Sequence, residues 1–260
     1  MPGPEPQDPL DSPDAGPRHF ATTRWTLVAA AGKTTTPEAR HALSELCRLY
    51  WYPLYAFVRR RGYDADEALD LTQGFFTRLI EKNDLAAADP ARGRFRSWLL
   101  ASVKHFLANE WDRATAQKRG GGRAVFSIDI DPDDAERRYR HEPSHSLTPE
   151  RIFDRRWALT MLEQALEGLK AECDREGKAE LFEALRPTLI GDSGGDAAPY
   201  RDVADRLGMT EGAVKVSAHR LRRQYRELLR RNIAETVDGP DGVDDEIRDL
   251  FAALGQTAGG

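Results

Sequence analysis

The sequence predicts an all-α protein in which two helical domains are joined by a flexible linker. Apolar residues recur at three- and four-residue steps through most of the chain, which is the pattern of helices with one buried face. Neither a sustained alternating pattern, which would indicate strands, nor an internal repeat is present. The helical pattern lapses over residues 123–151, so we place the division between the two domains there.

Composition sets the outer boundaries. Residues 1–19 are rich in Pro, Asp and Gly, and we expect a disordered tail because they bury too little apolar surface to offset the entropy of ordering. We assign 20–122 to the first helical domain, 123–151 to an acidic linker that contains several helix breakers, and 152–232 to the second domain. Residues 233–260 form an acidic tail. It could contain a short amphipathic helix that places on one face Ile247, Leu250, Phe251 and Leu254.

The first domain is expected to contain three main helices. The first covers 40–61 and includes Pro53, which should kink or split it. The second covers 65–82 and has an apolar stripe opposite an acidic and polar face. That face consists of Asp66, Glu67, Asp70 and Gln73. The third helix covers 94–116, where aromatic residues at helical spacing are interleaved with basic ones.

The most specific pattern lies at 200–231. A short helix ends at Gly208, and Thr210 can cap the next helix by accepting hydrogen bonds from its free amides. Small residues beside a glycine turn are typical of a helix-turn-helix unit, where two helices pack closely at a steep angle. The second helix buries a stripe formed by Val214, Ala218, Leu221, Tyr225 and Leu228. The DNA-contact candidates on its other faces are Lys215, Val216, Ser217, His219, Arg220, Arg222 and Arg223.

Charge is strongly segregated along the chain. The 260 residues carry a net charge of -5, which by itself argues against nucleic acid as a partner. Residues 92–123, however, contain eight basic and two acidic residues, and 212–231 contain seven basic residues and one acidic residue. The compensating acid lies in 232–260, with seven acidic residues and one basic residue. Two basic surfaces inside an acidic chain indicate a polyanionic partner.

Two motifs together resemble a known family. Residues 200–231 resemble region 4 of the sigma-70 family of bacterial RNA polymerase initiation factors, and residues 65–76 followed by 93–113 resemble their region 2. The order of the motifs and the short chain are similar to the extracytoplasmic-function group. The resemblance implies a factor that binds core RNA polymerase and directs promoter recognition, DNA opening and transcription initiation. An anti-sigma protein would be a further partner.

The resemblance also implies roles for individual residues. Asp66, Glu67, Asp70 and Gln73 match the helix that docks on the clamp coiled coil of the polymerase. The helix over 94–116 matches the element that opens the minus-10 promoter region, where aromatic and basic groups can hold an unpaired strand. Its exposed candidates are Lys104, His105, Asn109 and Arg113, whereas we expect Trp98 and Trp111 in the core. The minus-35 readers would be Lys215, Val216, His219 and Arg220.

Other classes of function have little support in the sequence. No apolar stretch reaches the length of a membrane span and the N-terminus lacks a signal-peptide pattern, so we expect a cytoplasmic protein without membrane contact. The spaced carboxylates from Asp129 onward resemble the start of a calcium loop but lack its glycine and its final glutamate. We therefore expect no metal, no cofactor and no enzymatic activity.

Two alternatives stay open at this point. A conventional helix-turn-helix regulator would explain 200–231 equally well, but it explains the second basic helix and the acidic face less well. A sigma mimic would bind polymerase without reading a promoter. The tail has two interpretations as well: it folds back on the basic face of 212–231 as an internal polyanion mimic, or it merely completes the core.

Overall fold

The computed structural model confirms the all-α prediction. Its described residues form nine α-helices and one short 3-10 helix, and no strand occurs among them. The described residues are 37–81, 84–87, 94–116, 131–142, 147–190, 200–237 and 239–255. The predicted N-terminal tail, 1–19, lies outside them.

The helices follow one another along the whole described chain. They are α1 (Pro37–Arg60), α2 (Ala65–Glu81), α3 (Phe95–Ala116), α4 (Pro132–Arg140), α5 (Pro149–Arg175), α6 (Ala179–Ile190), α7 (Tyr200–Leu207), α8 (Glu211–Ala234) and α9 (Gly239–Gly255). The 3-10 helix, Asp84–Ala87, lies between α2 and α3. Pro53 lies inside α1, which is not split there.

The core is continuous across the predicted domain division. Helix α1 packs along α5, which brings the first predicted domain into direct contact with the second. The buried ring of Tyr50 on α1 lies 5.3 Å from that of Phe95 on α3 and 6.5 Å from that of Phe153 on α5, measured between ring centroids. Trp157 of α5 is fully buried in the same cluster. A single apolar cluster therefore joins helices from both sides of residues 123–151.

Part of the predicted linker is folded. Helix α4 begins after Asp131, whose side chain accepts a hydrogen bond from the amide of Asp133, and this cap gives the aspartate-rich start of the segment a structural role. Helix α4 then docks on α1 through Glu136. Its carboxylate accepts hydrogen bonds from Tyr55 Oη at 2.8 Å and from Arg59 Nε at 3.0 Å. Residues 123–130 and 143–146 lie outside the described residues.

The acidic tail also contains a helix that belongs to the core. Helix α9 packs against α5 and α8 and buries Val243 and Leu250. Ile247 and Leu254 are partly buried on the same face, as predicted, whereas Phe251, at the edge of that face, is 57% exposed. The tail therefore contributes to the fold as a packed helix.

The ion pair at Glu136 gives a test of the α4 docking. Burial disfavours the charged form of Glu136, but the hydrogen bonds from Arg59 and Tyr55 outweigh it and hold its pKa below the usual range. A depressed carboxyl pKa adds stability above the unfolded-state value of about 4.3, and this stability is lost as the pH falls through the folded-state pKa. The variant Glu136→Gln should lower the free energy of unfolding by about 1–3 kcal/mol at neutral pH. Its stability should also fall less on acidification than that of the parent.

Urea denaturation from neutral pH to pH 3 measures both effects. The matched control is Asp134→Asn on the same helix, because Asp134 pairs with the exposed Arg137 one turn away and should contribute less than about 0.5 kcal/mol. Equal losses of stability in the two variants would contradict the docking role of Glu136.

Candidate nucleic-acid interface

Helices α7 and α8 are joined by a three-residue turn at the predicted position. Gly208 follows α7 with a φ of +63°, a conformation that glycine adopts without a steric penalty. The amide of Met209 donates to the carbonyl of Ala204 at 2.9 Å and closes the helix end. Thr210 then caps α8, because its Oγ1 accepts a hydrogen bond from the amide of Ala213 at 3.2 Å. The predicted glycine turn and threonine cap are confirmed.

Helix α8 has one buried face and one exposed face. Val214, Ala218, Leu221 and Leu228 are buried, and Tyr225 is half-buried, which confirms the predicted stripe. The exposed candidates are Lys215, Val216, His219, Arg220 and Arg223, with Ser217 and Arg222 half-buried. Val216 is 61% exposed, so its side chain is accessible to a partner.

Two of the basic candidates form local ion pairs. Lys215 Nζ lies 2.7 Å from a Glu211 carboxylate oxygen, and this hydrogen bond and the nearby charge raise the pKa of Lys215. Arg223 Nε lies 2.9 Å from Glu227 Oε1. Both pairs are exposed and lie within one helix, so they contribute little to stability. Both cations can therefore exchange these carboxylates for phosphate groups at small cost.

Arg222 has a different environment from its neighbour Arg223. Its Nε donates to the carbonyl of Thr188 on α6 at 3.2 Å, and its Nη2 donates to Tyr200 Oη on α7 at 2.8 Å. These bonds tie α8 to both preceding helices. Arg222 therefore positions α8, a role that its place in a run of arginines does not reveal.

A cleft between α2 and α3 contains two of the strand-opening candidates. His105 and Asn109 are exposed on α3 and line a cleft of about 240 Å³. Its apolar walls come from Phe75, Trp98 and Phe106. Phe75 and Phe106 are buried in the core, so the half-buried Trp98 is the aromatic side chain of this cleft that an unpaired base could contact, with the imidazole of His105 and the amide of Asn109 at the rim.

The other residues of α3 depart from the expectations in part. Lys104 Nζ lies 2.8 Å from a carboxylate oxygen of Glu150 at the start of α5, and this hydrogen bond lowers the pKa of Glu150. Arg113 lies on α3, but its side chain is outside the described residues. Trp98 is half-buried against the core, whereas the Trp111 side chain is 64% exposed. Its predicted place in the core is therefore wrong, because the face of α3 that carries it is turned away from α1 and α2.

The acidic face of α2 is accessible. Asp66, Glu67 and Asp70 are exposed and Gln73 is half-buried, while Phe75 and neighbouring apolar residues are buried on the opposite face. Glu67 also caps the helix: its amide donates to Asp64 Oδ1 at 2.8 Å, and its carboxylate accepts from the amide of Asp64 at 3.2 Å. Asp66 and Asp70 are thus the better candidates for contact with a partner.

Two arginines at the start of α3 have a role that the sequence pattern did not predict. Arg94 and Arg96 belong to the basic stretch 92–123 but are not among the predicted site residues. Arg96 is buried with its guanidinium 4.7 Å from the Trp157 ring centroid, and it pairs with Glu246 and Asp249 of α9. The excess of acidic residues in the tail could have indicated these arginines, because carboxylates that become buried require basic partners within the chain.

The described part of the tail does not cover the exposed face of α8, contrary to the interpretation of the tail as a polyanion mimic on that face. Asp244 pairs at 2.6 Å with Arg230, near the C-terminal end of α8, and the carboxylates of Glu246 and Asp249 contact Arg94 and Arg96. The reason is packing: the apolar face of α9 lies on α5 and on the C-terminal half of α8, about three turns from the start of that helix.

The contrast between Arg222 and Arg223 yields a second test. The variant Arg222→Ala should lower the free energy of unfolding by about 1–3 kcal/mol, because it removes hydrogen bonds that a charged group makes to α6 and α7. Arg223→Ala, which removes the same side chain one position further on, should stay within about 0.5 kcal/mol of the parent. Urea denaturation measures both, and a similar loss in the two variants would argue against the positioning role.

Two further findings concern the described residues. They contain no group of three or more His, Cys, Asp or Glu side chains arranged to hold a metal ion. None of the described helices combines the length and the apolar character that crossing a membrane requires.

Comparisons with family models, with curated proteins and with solved structures give no match to this chain.

Proposed function

We propose that this chain is a transcription initiation factor of the sigma type, which binds core RNA polymerase and directs it to promoter DNA. The observation that carries the proposal is the presence in one chain of two different candidate DNA-reading surfaces and an acidic docking face. The surfaces are the exposed side of α8 and the aromatic cleft between α2 and α3, and the docking face is the exposed side of α2.

Helix α8 supports readout of duplex DNA. Its first turns present Lys215, Val216 and His219 to solvent, and the first turns of a recognition helix are the part that reaches base edges in the major groove. A lysine can bond to guanine, and an exposed valine can contact a thymine methyl group. Arg220 and Arg223, further along the helix, suit phosphate contacts that fix the register of the protein on the duplex.

The cleft on α3 supports a different task, which is to hold a separated strand. Stacking on an aromatic side chain tolerates any base and contributes about 1–3 kcal/mol per base. The exposed Trp111 lies about half a turn from Asn109 and therefore on another side of α3, whereas His105 and Asn109 stand at the rim of the cleft. Such a surface is of little use on an intact duplex, whose bases are already stacked. It therefore favours a protein that opens DNA as well as binding it.

The acidic face of α2 supports a protein partner. Asp66 and Asp70 are exposed one turn apart, and carboxylates at this spacing fit a basic protein surface, whereas DNA would repel them. The family resemblance identifies that surface as the clamp of the large polymerase subunit. A conventional helix-turn-helix regulator explains this face less well, and a sigma mimic explains the exposed basic side of α8 less well.

The first test concerns promoter reading. The triple variant Lys215→Ala, His219→Ala, Arg220→Ala should reduce promoter-directed transcription by core polymerase by roughly 100-fold or more. Lys215 and His219 would each lose a base-specific interaction of about 1–3 kcal/mol, and Arg220 would lose a phosphate contact. Lys170→Ala on α5, which removes one exposed cation elsewhere, is the control. The readout is run-off transcription on genomic fragments with sigma-free core polymerase. Undiminished transcription by the triple variant would contradict the role of α8, and binding of the parent chain to core without any initiation would favour a mimic.

The second test concerns docking. The variant Asp66→Asn, Asp70→Asn should weaken binding to core polymerase by roughly threefold to tenfold at low ionic strength, and by less as salt screens exposed charges. Glu167→Gln on α5, also exposed, is the matched control. Binding is measured by fluorescence anisotropy of the labelled chain. A parent chain that binds DNA but shows no affinity for core would instead establish a conventional regulator.

A further inference from the structure

A groove between α1 and α4 shares no residue with the two candidate DNA-reading surfaces. It has a volume of about 250 Å³ and lies where the described part of the predicted linker docks on the first helix. Trp51 and Tyr52 of α1 and Ala135 of α4 form its apolar walls. Pockets for drug-sized ligands have volumes of about 300–1,000 Å³, so this groove suits a smaller molecule.

The wall of this groove contains a polar group without a partner. Trp51 is 2% exposed, and its ring stacks on that of Tyr55 with the ring centroids 5.3 Å apart. The indole Nε1 of Trp51 is buried and makes no hydrogen bond to any described residue. A buried donor left unsatisfied is energetically unfavourable, and most buried donors in folded proteins have an acceptor. The Trp51 N–H therefore lacks an acceptor that a molecule in the groove could supply.

Four charged side chains line the same groove. They are two arginines, Arg48 and Arg138, and two aspartates, Asp131 and Asp134. The guanidinium of Arg138 lies 4.2 Å from the Tyr52 ring centroid, and this contact holds it at the groove. The two positive and two negative charges cancel, so the groove favours neither a simple anion nor a simple cation. A molecule that carries one charge of each sign matches this arrangement best.

The ion pairs that these side chains already make are weak. Arg138 Nη2 lies 3.4 Å from a Glu163 carboxylate oxygen, and Asp134 Oδ1 lies 3.2 Å from Arg137 Nη1. Neither Glu163 nor Arg137 lines the groove, and both pairs are accessible to solvent. Ion pairs of this kind contribute little to stability, so a ligand in the groove can replace them at small cost.

We propose that the groove binds a small zwitterion with the chemistry of a free α-amino acid. The carboxylate of the ligand accepts hydrogen bonds from Trp51 Nε1 and from the guanidinium of Arg138, and its ammonium group pairs with the carboxylate of Asp134. The ligand thereby bridges α1 and α4, so its binding stabilises the docked position of α4. This site goes beyond the proposed function and does not depend on it, because neither polymerase nor DNA takes part in the binding.

Nuclear magnetic resonance of the indole N–H groups tests the site in the full chain. The chain contains five tryptophans, and the variant Trp51→Phe identifies which indole signal belongs to Trp51. If that variant does not fold, triple-resonance spectra of the parent assign the signal instead. The standard L-amino acids are titrated in turn, with acetate and ethylammonium as probes that carry only one of the two charges. At least one amino acid should shift the Trp51 signal saturably and leave that of exposed Trp111 unchanged, and acetate and ethylammonium should shift it less at equal concentration.

Variants of two neighbouring aspartates complete the test. Asp134→Asn should weaken amino-acid binding by roughly tenfold or more, because it removes the charged partner of the ammonium group. The matched control is Asp133→Asn, an exposed position that does not line the groove, which should bind within about twofold of the parent. The same titrations give both dissociation constants. The proposal is overturned if no amino acid shifts the Trp51 signal, if acetate shifts it as strongly as the amino acids do, or if the two variants bind equally well.

Discussion

The packing of α1 along α5 sets the position of every other surface in this protein. Helices α2 and α4 pack on α1, while α8 and α9 pack on α5, so the candidate docking face and the helix-turn-helix are placed by the same apolar contact. The rings of Tyr50, Phe95 and Phe153 meet at its centre, where three helices converge. Aromatic rings bury large areas in preferred edge or offset geometries, which makes such a contact both strong and specific.

Buried and half-buried charges at the edges of this core add specificity to the arrangement. The half-buried Glu136 accepts a hydrogen bond from Arg59 of α1, and the buried Glu142 accepts one from Arg155 of α5, so both hold described parts of the predicted linker in place. The buried Glu246 fixes the tail on Arg96. A buried ion pair contributes little net stability compared with an apolar contact, but it strongly penalises arrangements in which one partner is left alone. Some of the acidic residues that give the chain its net negative charge are therefore paired with basic residues within the protein, and the exposed face of α8 stays basic.

The two candidate DNA-reading surfaces differ in how they depend on the fold. The helix-turn-helix is a local unit, held by the turn at Gly208, the cap at Thr210 and the bonds of Arg222 to α6 and α7. The cleft on α3 needs α2 beside it, and Lys104 on the same helix is drawn into a pair with Glu150 of α5. A movement between α3 and α5 would therefore change the second surface and leave the first intact.

Local chemistry made much of this structure predictable from the sequence. The all-α class, the turn and cap before α8, its buried stripe and the acidic side of α2 all follow from periodicity over a few turns and from the capping preferences of single residues. Only the tertiary structure decided which charges meet. The pairing of Arg94 and Arg96 with carboxylates about 150 residues later, the docking of α4 through Glu136 and the exposure of Trp111 depend on which helices become neighbours. No local pattern encodes that choice. The position of a residue along its helix determines the face on which it lies, but not which other helix will pack against that face.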